Sequence, residues 1–295
     1  MIMCFPPFWA QAQSMWSVKD ASSLEPIAYA KVYCEVKGYG VLANASGFFS
    51  LPIHAAPSDV LNVTCVGYKP LSLTVATVMA AGGVLLTEDA IETQEVVIEA
   101  SSVKPVAIGL QKSGGKIELE FSASLNERYF GSIPVLTESG DTVLVQGTLG
   151  HEAGVRVLFK RPTRVNTIHF FVRENTFEAI TFRLHIYKFE QDGSRKSVLG
   201  QNILFKMDGG TGWQSWDVAQ SQLLLDGEYL ISFEWVDFLK EPTQTAILLI
   251  PGDKRYDNDT WVKKIDQRDW FSYLAELSIW FEGFQYSRGK AAKSP

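Results

Sequence analysis

The sequence predicts an all-β chain built from two antiparallel β-sandwich domains. Three observations predict this. Short segments rich in β-branched and aromatic residues alternate in period two along most of the chain. Gly and Pro separate them at close spacing. No segment carries a sustained helical period. At 295 residues the chain exceeds what one sandwich core needs and suits two domains.

The first domain is expected over residues 15–100. Its strand candidates are WSVKD, PIAYAKVYCEV, YGVLAN, GFFSLPI, DVLNVTCVGYK, LSLTVA, GVLLTE and QEVVIEA, divided by Gly38, Gly40, Gly47, Pro52, Pro57, Gly67 and Pro70. Asn44 is suited to start an Asx-type turn, and Gly47 supplies a backbone shape that residues with a Cβ avoid. Phe48 and Phe49 then point to opposite faces of one strand, so that one of them joins the core. Cys34 and Cys65 each fall on the apolar face of a strand. Two buried thiols are expected, with a disulfide as the alternative, because a shared face does not set the Cα spacing of a bridge.

Residues 101–115, SSVKPVAIGLQKSGG, read as a linker, although VAIGL is able to start the next sheet. β patterning resumes over 116–288 and suits a jelly-roll-like sandwich of about 180 residues. In AITFRLHIYKF, Ile180, Phe182, Leu184 and Ile186 alternate with Thr181, Arg183, His185 and Tyr187, the pattern of a half-buried strand with a solvated face. Acids such as Glu228 and Glu234 read as solvated in the same way. Residues 289–295 form a tail.

Net charge is −6, and the first hundred residues hold four Lys, no Arg and nine acids. Neither half offers a basic surface for phosphates, which excludes nucleic acid as a partner. No stretch supplies the ~18–20 apolar residues of a membrane helix. Residues 1–14 end the apolar run MIMCFPPFW with Ala10-Gln11-Ala12, a site of the kind signal peptidase accepts. They read as the remnant of a signal peptide, without a basic n-region. Export to the periplasm, outer membrane or cell surface is the expectation.

Catalytic signatures are few. The third residues after His54, His151, His169 and His185 are Pro57, Gly154, Val172 and Lys188, so the His-x-x-Glu of a zinc peptidase is missing. There is no Gly-x-Ser-x-Gly elbow and no phosphate-cradling Gly loop. His151-Glu152 reads as a solvated loop pair. No cofactor, metal or catalytic residue is expected. A glycosidase needs only two carboxylates at a set distance, which sequence does not show.

Three stretches in register carry a resemblance: Glu25-Pro26-Ile27-Ala28-Tyr29-Ala30-Lys31-Val32, Asn44-Ala45-Ser46-Gly47-Phe48-Phe49, and Gly67-Tyr68-Lys69, followed by Glu95-Val96-Val97-Ile98. Over roughly residues 16–100 they resemble the carboxypeptidase regulatory-like domain of Bacteroidetes-type proteins. The resemblance implies a prealbumin-like (transthyretin-like) sandwich in which Gly47, Phe48, Gly67 and Tyr68 are structural. The pattern departs from the family at Trp16-Ser17 and in the non-acidic turn Ala43-Asn44-Ala45-Ser46. The later stretches Phe182–Lys188, Gly212–Val218 and Tyr229–Trp235 resemble a β-sandwich that often follows this domain and has no known catalytic residues.

One feature stands above background. Six of eight Trp lie in 213–280, and two of them, Trp261 and Trp270, belong to the polar stretch GDKRYDNDTWVKKIDQRDW. Sugars lay CH faces on aromatic rings and hydrogen-bond to carboxylates. Tyr256, Asp257, Asp259, Trp261, Asp269 and Trp270 are therefore the candidate ligand-binding residues. Trp235 and Trp280 read as core. The expected function is a non-enzymatic envelope protein: a first domain that is scaffold, and a second that recognises a glycan or an envelope protein. A purely structural assembly protein and a glycoside hydrolase are the alternatives.

Overall fold

The computed structural model describes residues 14–89, 98–123, 135–136, 143–144, 149–255, 259–265 and 269–288. The expected leader stretch and tail lie outside the described residues.

The first domain is two small sheets closed over one core. One sheet orders its strands Tyr39–Leu42, Lys31–Cys34, Val60–Thr64 and Leu71–Thr74, all antiparallel. In the other, Trp16–Asp20 lies between Phe48–Phe49, antiparallel, and Gly83–Leu86, parallel. Val18, Val32, Leu61, Val63, Val78 and Leu86 are fully buried between them. Cys34 and Cys65 are buried free thiols in that core.

The Asn44 turn forms as its residues dictate. Asn44 Oδ1 accepts from the backbone N–H of Ser46 at 2.9 Å and of Phe48 at 3.0 Å. Phe49 is buried and Phe48 exposed. Gly47 adopts φ +75°, and a Cβ there would lie 2.8 Å from the Val18 carbonyl oxygen. Gly47→Ala is expected to destabilise by about 1–2 kcal/mol from the left-handed backbone alone, and further from that contact. Urea unfolding would show it as a lower midpoint at unchanged slope.

LSLTVA is not one strand. The strand Leu71–Thr74 ends where Thr74 caps a short helix, Val75–Ala81. Thr74 Oγ1 accepts from Thr77 N at 3.2 Å, Val75 and Val78 face the core, and Gly82 closes the helix at φ +72°. Two turns are too short to show a helical period, so only the Thr cap and the Gly stop mark it in sequence.

The second domain is larger. Its main sheet runs Arg195–Ser197, Ala179–Phe189, Leu224–Leu239, Glu152–Val172, Thr260–Lys263, Phe271–Tyr273. The 21-residue strand Glu152–Val172 changes neighbours past an irregularity between Phe159 and Thr163. Its second half lies between Gly212–Asp217 and Ile279–Arg288. The facing sheet contains Ile117–Ala123, Ala246–Lys254, Glu174–Asn175 and Ala275–Leu277, with Val143–Leu144 parallel to Ile117–Ala123. Phe121 lies edge-on to Phe182 and Trp235 across the gap, both at 5.8 Å. The chain is all-β apart from the short helix and a single 3₁₀ turn, among the described residues.

The expected linker 101–115 needs correction. Ile98–Gly109 is an edge strand of the main sheet, paired along Ile279–Arg288. Lys104 is exposed, as suits a strand with one wet side, and Pro105 is tolerated because an edge leaves its missing N–H unneeded. The Trp assignments also divide. Trp235 is fully buried, as expected. Trp280 is not core: it lies on the outer face of the main sheet, stacked on His169 at 3.8 Å, beside an exposed Trp213.

Candidate functional site

The candidate site grows out of strand register. On the main sheet, Arg183 stands opposite Glu234, Glu234 opposite Glu152, and Glu152 opposite Lys263. These four side chains form one row across four strands, on the face turned away from the domain core. Two carboxylates directly opposite each other repel. The first domain resolves this with Lys31, whose ammonium reaches into the row, 3.2 Å from Glu152 and 3.1 Å from Glu234. Arg183 Nη1 lies 3.3 Å from the other oxygen of Glu234. Lys31, Glu152, Arg183 and Glu234 are all buried.

The next row adds a second layer. His185 Nε2, facing a carboxylate, donates to Glu234 Oε2 at 2.7 Å. Tyr187 donates to Glu152 Oε2 at 2.9 Å, with Ser232 Oγ on the same oxygen at 3.3 Å. Burial pushes both carboxyls up, but the attraction of nearby cations is stronger. Lys31 and Arg183 hold Glu234 well below its ordinary range, and His185, Lys31 and Lys263 do so for Glu152. Burial pushes the Tyr187 hydroxyl well up, with Glu152 adding to it.

The same contacts join the domains. Arg183 Nη2 donates to the Tyr29 carbonyl at 2.6 Å, and the Tyr29 hydroxyl donates to Asp237 at 3.1 Å. Tyr29 has φ +58°, a left-handed backbone unusual for a bulky side chain, and this aims its carbonyl at the guanidinium. Gly67 packs against the second domain so closely that a Cβ would lie 2.7 Å from the Gly200 carbonyl oxygen. Val66 joins the core of the second domain.

Between the domains lies a cavity of about 610 Å³, within the range of small-molecule sites. The charged row is its floor. Tyr33, Thr64, Gly67, Tyr68 and Asp89 of the first domain line one side, and Lys196, Ser197 and Lys263 of the second line the other. Glu152, His185 and Glu234 bring ligand atoms within 4.8 Å of one another, a donor set of metal-binding type. Here Lys31 and Arg183 already supply the positive charge that such a cluster requires.

The six expected ligand residues fall beside this cavity only in part. Trp261 and Trp270 are half-buried and meet at one guanidinium: Arg195 Cζ is 4.9 Å from the Trp261 ring centre and 5.8 Å from that of Trp270. Phe189 completes the group, 6.0 Å from Trp261. Trp270 packs against two residues of the cavity lining, with its ring 5.7 Å from Tyr187 and 5.6 Å from the Lys263 ammonium. Asp269 is exposed next to Trp270. The Asp259 carbonyl accepts from Arg156 N at 2.7 Å. Tyr256 and Asp257 lie outside the described residues. Of the four structural-motif residues, Gly47 and Phe48 stay in their turn, whereas Gly67 and Tyr68 line the cavity.

Several expectations are overturned. Glu234 is completely buried, His151 and Glu152 nearly so, and Arg183 and His185 lie under the first domain instead of facing solvent. Lys31, Glu152, Arg183, His185, Tyr187, Glu234 and Lys263 thus form a site that sequence reading did not single out. The available signal was a strand face made of Arg, His and Tyr opposite a strand bearing Glu between Phe233 and Trp235.

Comparison with known proteins places one part of the chain. Residues 17–98 match the family model described as CarboxypepD_reg-like domain. No curated protein matches the chain.

Proposed function

We propose, for a chain whose residues 17–98 are a CarboxypepD_reg-like domain, a non-catalytic exported envelope protein that binds a saccharide at its interdomain cavity. The carrying observation is the meeting of Trp261, Trp270 and Phe189 around Arg195, beside a cavity of about 610 Å³ walled by both domains. Aromatic faces take sugar CH groups, and the hydroxyls and charges of the cavity take sugar hydroxyls. The first domain is then a wall of the site as well as a scaffold.

The paired carboxylates favour binding over hydrolysis. A glycosidase needs one carboxyl that keeps its proton near neutral pH. Glu152 and Glu234 are both held in the charged form by buried cations. Export rests on Ala10-Gln11-Ala12, and the mature N-terminus found by mass spectrometry of secreted or envelope material would test it.

The test of binding is a glycan array probed with the full chain, because residues 101–295 alone would lack one wall. Saturable binding is expected, and a Trp261→Ala, Trp270→Ala double variant should lose it while keeping its fold by circular dichroism. Binding unchanged in that variant would sink the reading. A second reading has its own observation: Trp213, beside Trp280, is exposed on the outer face of the main sheet, and Phe284 and Val103 are exposed further along the paired strands Ile279–Arg288 and Ile98–Gly109. Such a face fits a protein contact in an assembly. A Trp213→Ser change that abolished an interaction in the envelope, with saccharide binding absent, would favour it.

A further inference from the structure

We infer that the cavity takes an acidic saccharide, one carrying a carboxylate such as a uronic acid, with Lys263 as the group that meets the charge. The inference rests on the saccharide reading and deepens it.

The charge balance of the floor leads there. Glu152 and Glu234 are matched by Lys31 and Arg183, at 3.1–3.3 Å. Lys263 is the cation left over. It stands across from Glu152 in the row, yet among the described residues no carboxylate comes within 4.0 Å of its ammonium. Burial, followed by the opposing pull of Glu152, acts on this ammonium and leaves its affinity for a proton below the ordinary value. Its direct contact is the Trp270 ring, and a partly desolvated ammonium with no paired carboxylate gains from an incoming anion. Lys196 lies on the same wall, and Arg195 holds its charge at the aromatic group next to it. Asp89 is the acid on the facing wall. The cavity is therefore net positive inside a chain of net charge −6.

Shape narrows the anion to a sugar acid. The Lys263 ammonium is 5.6 Å from the Trp270 ring centre, so a carboxylate on Lys263 puts the attached pyranose within reach of that ring. Thr64, Tyr33 and Ser197, which carry hydroxyls, line the same cavity. An inorganic phosphate would use the ammonium and leave the aromatic side empty.

The experiment is isothermal titration of the full chain with a uronic acid trisaccharide, its carboxyl-reduced neutral counterpart, and inorganic phosphate. The acidic sugar should bind about tenfold or more tightly than the neutral one, the size of one charge-assisted hydrogen bond. Its affinity should fall with added salt. Lys263→Met should erase the difference between the two sugars, and Lys263→Arg should keep most of it. Equal binding of the two sugars by the unmodified chain would overturn the acidic preference and leave saccharide binding standing. Binding of neither sugar would overturn both. Phosphate binding as tightly as the acidic sugar would overturn the role given to the aromatic wall. The comparison on the unmodified chain decides the matter even if a Lys263 variant fails to fold.

Discussion

Lys31→Met is expected to destabilise the folded chain by about 3–5 kcal/mol, the usual loss when one partner of a buried ion pair is removed. Among the described residues Lys31 is the one ammonium that touches both Glu152 and Glu234, and both acids are buried. Without it, two carboxylates face each other across neighbouring strands, with Arg183 and His185 left as the direct partners of Glu234. Methionine keeps the bulk of the side chain, so the loss reports charge and not packing. The triple variant Lys31→Met, Glu152→Gln, Glu234→Gln should recover a large part, because neutral amides do not repel. Guanidinium unfolding of the single and triple variants measures this directly. A single variant within about 0.5 kcal/mol of the unmodified chain would mean that the row does not depend on Lys31.

Acid should lower the stability of the folded chain in two stages. His151 is buried, and that burial, with the repulsion of Lys31 and Lys264 behind it, lowers its pKa from 6.5 to about 3. The unfolded chain therefore binds a proton there at higher pH than the folded chain does. Stability from this group is complete above pH 6.5 and is lost as pH falls toward about 3. Glu152 and Glu234 act with the same sign, since their folded values lie below the ordinary 4.5. Their contribution is present above pH 4.5 and is lost as pH falls further. Each proton taken up on unfolding gives a slope of about 1.4 kcal/mol per pH unit. Unfolding free energies measured from pH 7.5 to pH 3.5 should be level at first, then fall with that slope, then fall more steeply. His151→Gln should flatten the upper stage and leave the lower one in place.

Much of the fold was legible because burial on one side of a strand writes itself as alternation. Ile180, Phe182, Leu184 and Ile186 announced a core face, and all four are buried. The Asn44–Gly47 turn was legible because only Asn and Gly suit its hydrogen bonds and its φ. The site was not legible, for a physical reason. Period two separates a core face from another face, but it does not say whether water or a second domain covers that other face. Arg183, His185 and Glu234 have the residue types of a solvated surface, and their burial depends on Lys31, more than 120 positions earlier than any of them. The pairing that makes the row, Glu152 with Glu234 and Lys263, is a matter of register between distant strands. Trp261 and Trp270 stand out from composition alone. Their common partner Arg195 sits on a short strand, Arg195–Ser197, that gave no pattern to read.

Scanning calorimetry of the full chain at neutral pH tests most directly whether the two domains are one body built around the charged row and its cavity. One cooperative transition is expected, with calorimetric and van't Hoff enthalpies equal, and Lys31→Met should lower its midpoint while leaving it single. Two separate transitions in the unmodified chain would contradict this. They would mean that the domains unfold independently and that the row does not hold the walls of the cavity together.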